Sequence, residues 1–367
     1  MPSLFEPFTL RGMTTRNRIW LAPMCQYSCF AQDGMPNDWQ LVHLGARATG
    51  GFGLILTEAS AVLPNGRISP QDAGIWSDDH IPGWKRVTDF VHTQDAKIGI
   101  QLAHAGRKAS TYGPFDPEEG TSVAPDAGGW QTIAPSAVAF TGLAEPAELS
   151  VDEIAEVVAA FGAAAERAES AGFDAIEIHS AHGYLLHEFM SPLSNQRTDQ
   201  YGGSFENRTR IVVEVVDAIR AVWSQDKPLL IRFSATDWFE GGWSTEDTGA
   251  LTKLLVDHGV DLVDVSTGAL VREAKIEVGP GYQVPFARAV REFSGMATGA
   301  VGMITDAQQA QQILDEGSAD VVFIGRAALR EPSWPLRAAS DLEIPWREAG
   351  YPTQYLRGAW RNEPRWR

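Results

Sequence analysis

Short apolar runs recur along the chain at 18–24, 53–59, 97–103, 174–179, 228–233, 261–266, 296–301 and 320–325. They are rich in Val, Ile and Leu and alternate only weakly with polar residues, the pattern of strands covered on both faces. Segments of helical period lie between them, 151–170 and 208–222 among the clearest. Ordinary start signals precede several helices: Ser150 before Val151-Asp152-Glu153, Ser244-Thr245-Glu246-Asp247, and Thr305-Asp306. Strand and helix alternating through eight candidate strands, with no break in composition, predict an α/β fold, a single (β/α)8 barrel over residues 1–343.

Two stretches fall outside that repeat. Residues 104–149 are rich in Gly, Pro, Ser and Trp and too long for an ordinary βα loop, so they are expected to cross the active-site face as a lid or substrate wall. The tail, 344–367, is rich in Pro and Trp and has no strand left to supply. Its aromatic side chains predict that it docks on something.

Composition narrows the function. With 367 residues, 44% of them hydrophobic, the chain can bury a large core. A net charge of −17 argues against nucleic acid and anionic membranes as partners and favours small molecules. The only cysteines are Cys25 and Cys29, and the N-terminus has neither a basic nor an apolar leader region, which fits the cytoplasm. No apolar run approaches the roughly 20 residues that span a bilayer.

The richest chemistry lies in His179-Ser180-Ala181-His182-Gly183-Tyr184, where two imidazoles and a phenol emerge at the expected end of the fourth strand. In a parallel barrel, catalysis sits at the strands' carboxyl ends. The pair could grip a carbonyl or phenolate oxygen while the tyrosine delivers a proton, but a satisfied core histidine or a metal pair remains open from these residues alone. The last two strands end Thr298-Gly299-Ala300-Val301-Gly302 and Phe323-Ile324-Gly325-Arg326, a setting for a phosphorylated cofactor. No Gly-x-Gly-x-x-Gly motif of a dinucleotide domain occurs, so FMN is the natural alternative. Gln101 could meet a flavin edge, and Arg232 could bring positive charge near the ring's N1 and O2, or each could be a polar core residue. Cys25 and Tyr27 end the first strand, and without a second Cys/His pair the two thiols make a poor zinc site.

Taken in order, Ala22-Pro23-Met24-Cys25-Gln26-Tyr27, Gln101 to Lys108, His179 to Tyr184, Asn195 to Asp199, Tyr201 to Arg208 and Gly325-Arg326 resemble the Old Yellow Enzyme family of FMN-dependent ene-reductases. Cys25 and the tail Gln354 to Trp360 resemble its thermophilic-like branch, which includes bacterial NADPH dehydrogenases and xenobiotic reductases. The resemblance implies a TIM barrel that binds FMN through Ala22, Pro23, Met24, Cys25, Ala59, Gln101, Arg232, Gly325 and Arg326. Ala300, Val301 and Gly302 are expected to join them from the seventh strand. It implies that Tyr27, His179 and His182 meet the substrate and that Tyr184 donates the proton. It also implies that Arg357, with Trp360 beside it, reaches a neighbouring subunit's active site in a homodimer or homotetramer.

The implied reaction is ping-pong reduction of enones, enals, maleimides or nitroalkenes, with NADPH or NADH as hydride donor and no metal. The rivals are a metal-dependent barrel hydrolase using His104, His179 and His182, and a flavin-binding barrel without catalysis.

Overall fold

The computed structural model describes residues 3–360; the tail expectation for 361–367, and the barrel expectation for residues 1 and 2, lie outside the described residues. A short antiparallel hairpin, β1 (Phe8–Leu10) and β2 (Met13–Thr15), comes first. Then follow β3 (Ile19–Leu21), β4 (Leu54–Ala61) and β5 (Lys97–Ala103). The excursion carries its own two-stranded ladder, β6 (Ile133–Ala134) with β7 (Ala147–Glu148). The remaining strands are β8 (Ala175–Ser180), β9 (Leu229–Ser234), β10 (Leu262–Ser266), β11 (Ala297–Ala300) and β12 (Val321–Ile324). Strands β3, β4, β5, β8, β9, β10, β11 and β12 pair in that order, all parallel, and β12 returns to β3 to close the barrel.

All eight expected strands are present. The first ends earlier than the apolar run because Pro23 lacks an N–H for the ladder. In β4 the register with β5 shifts between Leu56 and Ala59, a bulge around Thr57 and Glu58. The hairpin was not foreseen, since three-residue strands carry too little alternation to register.

Among the described residues ten helices surround the barrel or cap it: α1 (Asp38–Thr49), α2 (Ile81–His92), α3 (Val151–Ser170), α4 (Leu185–Met190), α5 (Phe205–Arg220), α6 (Thr245–Asp257), α7 (Val284–Ser294), α8 (Ala307–Asp315), α9 (Arg326–Arg330) and α10 (Trp334–Asp341). The start signals behave as expected: Ser150 and Glu153 form a reciprocal capping box, Ser244 pairs likewise with Asp247, and Asp306 caps α8. Helix α5 begins three residues before the expected 208 because the Ser204 side chain accepts the Asn207 N–H.

Alternation along each strand sorts the side chains into two cores. Ile176, Ile178, Ile231, Val263 and Val265 face outward and pack with Phe161, Val215 and Leu251 of the helices. Ala175, Leu230, Leu262, Val321, Trp20 and Phe323 face inward, and Phe8, Leu10 and Met13 of the hairpin plug the barrel's amino-terminal end. Trp20 meets Phe323 edge-on at 5.5 Å, and full burial of such a phenylalanine contributes about 1.5–3 kcal/mol. Above that apolar floor the inward positions turn polar: Gln101, Glu177, Arg232 and Asp264, then His179, Ser234 and Ser266. The barrel is thus oil-filled at one end and chemically equipped at the other.

The excursion is stapled down by the segment before α5. Arg197 donates to Pro135 O at 2.9 Å and to both carboxylate oxygens of Asp199, and the Asn195 amide holds Phe189 O and Tyr201 O at 2.7 Å. The tail docks at the opposite end of the molecule. Ile344, Ala349 and Tyr351 pack on Leu336, Ala339 and Phe5, and residues 347–354 border a cavity of about 470 Å³ with Arg16, Asn17 and Asp95, at the strands' amino ends. Among the described residues no helix is long and apolar enough to cross a membrane.

Candidate active site

Strand β8 delivers His179 inward at the barrel mouth, and the chain then turns sharply: His182 and Gly183 have φ of 60° and 71°. A Cβ on Gly183 would stand 2.5 Å from Ala269 O, so the turn requires glycine on both counts. The turn brings the two imidazoles to 5.1 Å between centroids and Tyr184 to 4.9 Å from His179. The Ala181 N–H donates to His179 Nδ1 at 3.2 Å, which leaves the ring proton on Nε2, 3.4 Å from His182 Nδ1. His182 Nε2 lies 2.7 Å from Ser266 Oγ. Burial, with the nearby Arg232 charge, pushes both histidines well below their ordinary pKa, so both are neutral. Burial pushes the Tyr184 phenol well up, so it keeps its proton.

The turn is braced from behind. The Gly183 N–H donates to His187 Nδ1 at 2.9 Å, so His187 Nε2 carries hydrogen and donates to Asp237 Oδ1 at 2.8 Å. Asp237 Oδ2 accepts the Ser191 hydroxyl at 2.6 Å and the Trp243 N–H at 2.7 Å. Burial pushes this carboxyl up, but His187 and those donors overcome it and hold it below its usual range. Lys108 clamps the turn from the excursion side, donating to His182 O at 2.8 Å and Ala269 O at 3.0 Å, and burial lowers its pKa to about 8. Its ammonium also lies 5.3 Å from the Tyr184 ring and 4.8 Å from Phe140 of the excursion. The excursion therefore reaches the surroundings of Tyr184 through Lys108 and Phe140.

Below the imidazoles sits the polar layer. Gln101 Nε2 donates to Glu177 Oε1 at 2.7 Å. Arg232 Nε approaches Asp264 Oδ2 to 2.9 Å, yet off the line of a hydrogen bond, so both Asp264 oxygens lack an aligned donor. Burial raises both carboxyls, Glu177 further through the charge of Asp264, and Arg232 opposes the rise in each.

The first strand's rim is held by the β4 bulge. Glu58 accepts the Gln26 N–H and the Gln40 amide, each at 3.0 Å, fixing the loop that carries Cys25 and Tyr27. Tyr27 has φ of 52°. Burial, with the charges of Asp72 and Glu58, raises the Cys25 pKa well above 9.0, so it stands as a neutral thiol.

A cleft of about 300 Å³ opens beside this group, lined by Ala22, Pro23, Met24, Arg232, Val301, Gly302, Gly325 and Arg326, and by Tyr282, Gln283, Met303 and Arg330. Gly302, with φ of +115°, would drive a Cβ to 2.8 Å from Gln283 Nε2. The donor set fits FMN: an apolar wall for the ring, the unaligned Arg232 guanidinium for its polar edge, and Gly302 backbone with two guanidinium groups for a phosphate. Ala59 lies apart from that lining, grouped with Tyr184 and Asp72. The Ala300 side chain, in contrast, belongs to the outer core rather than the cleft.

Arg357 and Trp360 are not brought to these residues within one chain. They lie on the tail segment anchored at the barrel's amino-terminal end, where the Trp360 N–H donates to the Tyr351 hydroxyl. Among the described residues no group of three or more His, Cys, Asp or Glu is arranged to hold a metal, and His104 turns its Nδ1 to the Gly106 N–H instead. Sequence reading missed Lys108 as a clamp, and also Glu58, His187, Asp237, Ser266 and Gln283. Of these, only Lys108 lies inside a motif already singled out; His187 follows the motif on α4, and Glu58, Asp237, Ser266 and Gln283 meet the site from segments far apart in sequence.

The NADH:flavin oxidoreductase / NADH oxidase family matches residues 3–344. The chain is 50% identical over 356 residues to the NADPH dehydrogenase of Bacillus subtilis, covering 97% of this chain and 98% of that protein. It is 49% identical to that of Geobacillus thermodenitrificans, covering 98% of both. Among solved structures it resembles morphinone reductase, with TM-score 0.78 and 31% identity over 93% of this chain and 90% of that one. It also resembles the Old Yellow Enzyme homologue of Zymomonas mobilis, with TM-score 0.75 and 27% identity over 98% of each. These likenesses set aside both the metal hydrolase and the barrel without catalysis. Barrel, cleft and relatives agree, and the chain belongs to the NADH:flavin oxidoreductase / NADH oxidase family, an FMN-dependent enzyme that oxidises NAD(P)H.

Proposed function

We propose that the enzyme is an ene-reductase, acting on activated C=C bonds of enones, enals, maleimides or nitroalkenes, with nicotinamide and alkene occupying one site in turn. The observation that carries this reading is the pair of neutral imidazoles, their facing nitrogens 3.4 Å apart, beside a phenol that holds its proton. Bound FMN would supply the hydride chemistry, as acceptor from NAD(P)H and donor to the alkene. His179 and His182 hold the carbonyl or nitro oxygen, where negative charge grows as the β-carbon accepts hydride. Tyr184 then gives its proton to the α-carbon. Arg232 brings positive charge to the polar edge of the cofactor, while Ala22, Pro23, Met24, Gly302, Gly325 and Arg326 bind it. Cys25 borders the cofactor as a neutral thiol, and Tyr27 closes the substrate side.

The tail's anchorage at the amino-terminal end supports its use in trans, with Arg357 and Trp360 entering a neighbouring subunit's pocket in a homo-oligomer. Two free thiols suit a reducing cytoplasm. The test is anaerobic: NADPH should bleach the flavin absorption and cyclohexenone should restore it. Restoration by oxygen alone would refute the alkene assignment. A chain ended at residue 343 should lose affinity for cyclohexenone but still be bleached by NADPH; unchanged affinity would remove the tail from the site.

A further inference from the structure

We propose that Ser266 is a positioning residue that selects the tautomer of His182, and that its hydroxyl reverses its hydrogen bond when an oxygen acceptor enters between the two imidazoles. The inference rests on the ene-reductase reading above and deepens it.

The argument is an accounting of protons. His179 receives the Ala181 N–H on Nδ1, so its own hydrogen is on Nε2 and faces His182 Nδ1 at 3.4 Å. That nitrogen must accept, which puts the His182 hydrogen on Nε2, directed at Ser266 Oγ 2.7 Å away. Ser266 passes its hydroxyl hydrogen on to Gln283 Oε1 at 3.2 Å. The same Gln283 oxygen also accepts from Thr267 at 2.9 Å, and its Nε2 donates to Val301 O at 3.2 Å. The chain of donors thus runs one way, from His179 through His182 and Ser266 to Gln283.

A carbonyl, nitro or phenolate oxygen that takes the His179 N–H also comes within reach of His182 Nδ1. In the tautomer just described it would meet a lone pair there, and two acceptors repel. Both rings donate only if the His182 hydrogen is on Nδ1, which leaves Nε2 an acceptor. A hydroxyl can donate or accept, so Ser266 can turn from Gln283 to Nε2. Gln283 Oε1 keeps its bond from Thr267, and no buried group is orphaned in either arrangement. One proton leaves Nε2 and one is taken up at Nδ1 from solvent, so the proton count of the site is unchanged. The neutrality of both rings, which burial enforces, is what gives them tautomers to choose between. Ser266 is itself buried, at the carboxyl end of β10, so water does not substitute freely for its hydroxyl. The device also selects ligands: an oxygen acceptor triggers it, and a group that can only donate does not.

The test uses FMN-loaded enzyme with ¹⁵N-labelled histidine, titrated with 4-hydroxybenzaldehyde, whose phenolate is the acceptor and whose binding is followed by its charge-transfer absorption. His182 is assigned by comparison with His182→Gln. Without the phenol, Nε2 should carry the hydrogen; at saturation Nδ1 should carry it. The same tautomer in both states, with the phenol bound, overturns the proposal alone. Absence of phenol binding overturns it together with the ene-reductase reading. In a second arm, Ser266→Ala should raise the phenol's Kd about tenfold, since one buried hydrogen bond is lost, whereas Ser266→Thr, which keeps the hydroxyl, should stay within about threefold. Equal affinity in Ser266→Ala and wild type would show that the hydroxyl has no part.

Discussion

At the scale of single residues, the site works by withholding charge. His179 and His182 are kept neutral by burial, so their N–H groups can meet an oxygen that becomes negative without first giving up a proton. Tyr184 is kept protonated by the same burial, so its proton is available at every working pH. Tyr184→Phe is therefore expected to slow the step in which cyclohexenone is consumed by about 100-fold or more in stopped flow, while leaving the rate of flavin bleaching by NADPH within about twofold. Equal slowing of both half-reactions would show that the phenol only shapes the pocket. These three residues were legible in the sequence because they sit within six positions at a strand end. Ser266 and Asp237 were not, because the first lies 84 positions from His182 and the second 50 positions from His187; only closure of the barrel joins them.

At the scale of elements, the left-handed turn after β8 is the part that converts fold into chemistry. It is gripped on one side by Lys108 and on the other by the His187–Asp237 strut, in which each buried polar contact is aligned. Removing the carboxylate orphans the His187 N–H, the Ser191 hydroxyl and the Trp243 N–H, so Asp237→Ala is expected to lower unfolding stability by about 3–5 kcal/mol in denaturant titration. A loss below about 1 kcal/mol would mean that the strut is not under load. The eight strands and the capped starts of α3, α6 and α8 could be read in advance, since period and capping are local properties. The bulge in β4 could not, because a register shift is a relation between two strands and leaves no mark on either alone.

At the scale of the whole molecule, charge of both signs is buried, with Glu58, Asp72 and Glu188 beside Arg47, Arg107 and Arg232. Away from the cleft, burial raises Glu58 to about 7, Asp72 to about 6 and Glu188 to about 8. A carboxyl whose pKa is raised on folding contributes stability that is complete below its unfolded pKa and is lost as pH rises through its folded value. Asp174, Asp199 and Asp237 act oppositely, their pKa values being lowered despite burial by His92, Arg197 and His187, and their contribution is lost only as pH falls through the depressed values. The buried neutral histidines His43, His104, His179 and His182 add a further loss as pH falls below about 6.5, so stability should peak near about pH 6.5 and decline towards about pH 8 as Glu58 and Glu188 ionise, and Glu188→Gln should lessen the decline. Calorimetry giving a flat Tm across that range in wild type would contradict this. The tail belongs to the same scale: its aromatic composition signalled docking, but only the assembled chain reveals that it docks at the end of the barrel opposite the chemistry.

The most direct measurement of the central claim, that paired neutral imidazoles hold the substrate's oxygen, is titration of FMN-loaded enzyme with 4-hydroxybenzaldehyde, following the charge-transfer absorption. His179→Ala and His182→Ala should each weaken binding by about tenfold or more while retaining FMN, since each removes a donor to a charged oxygen. Wild-type affinity in both variants would contradict the claim.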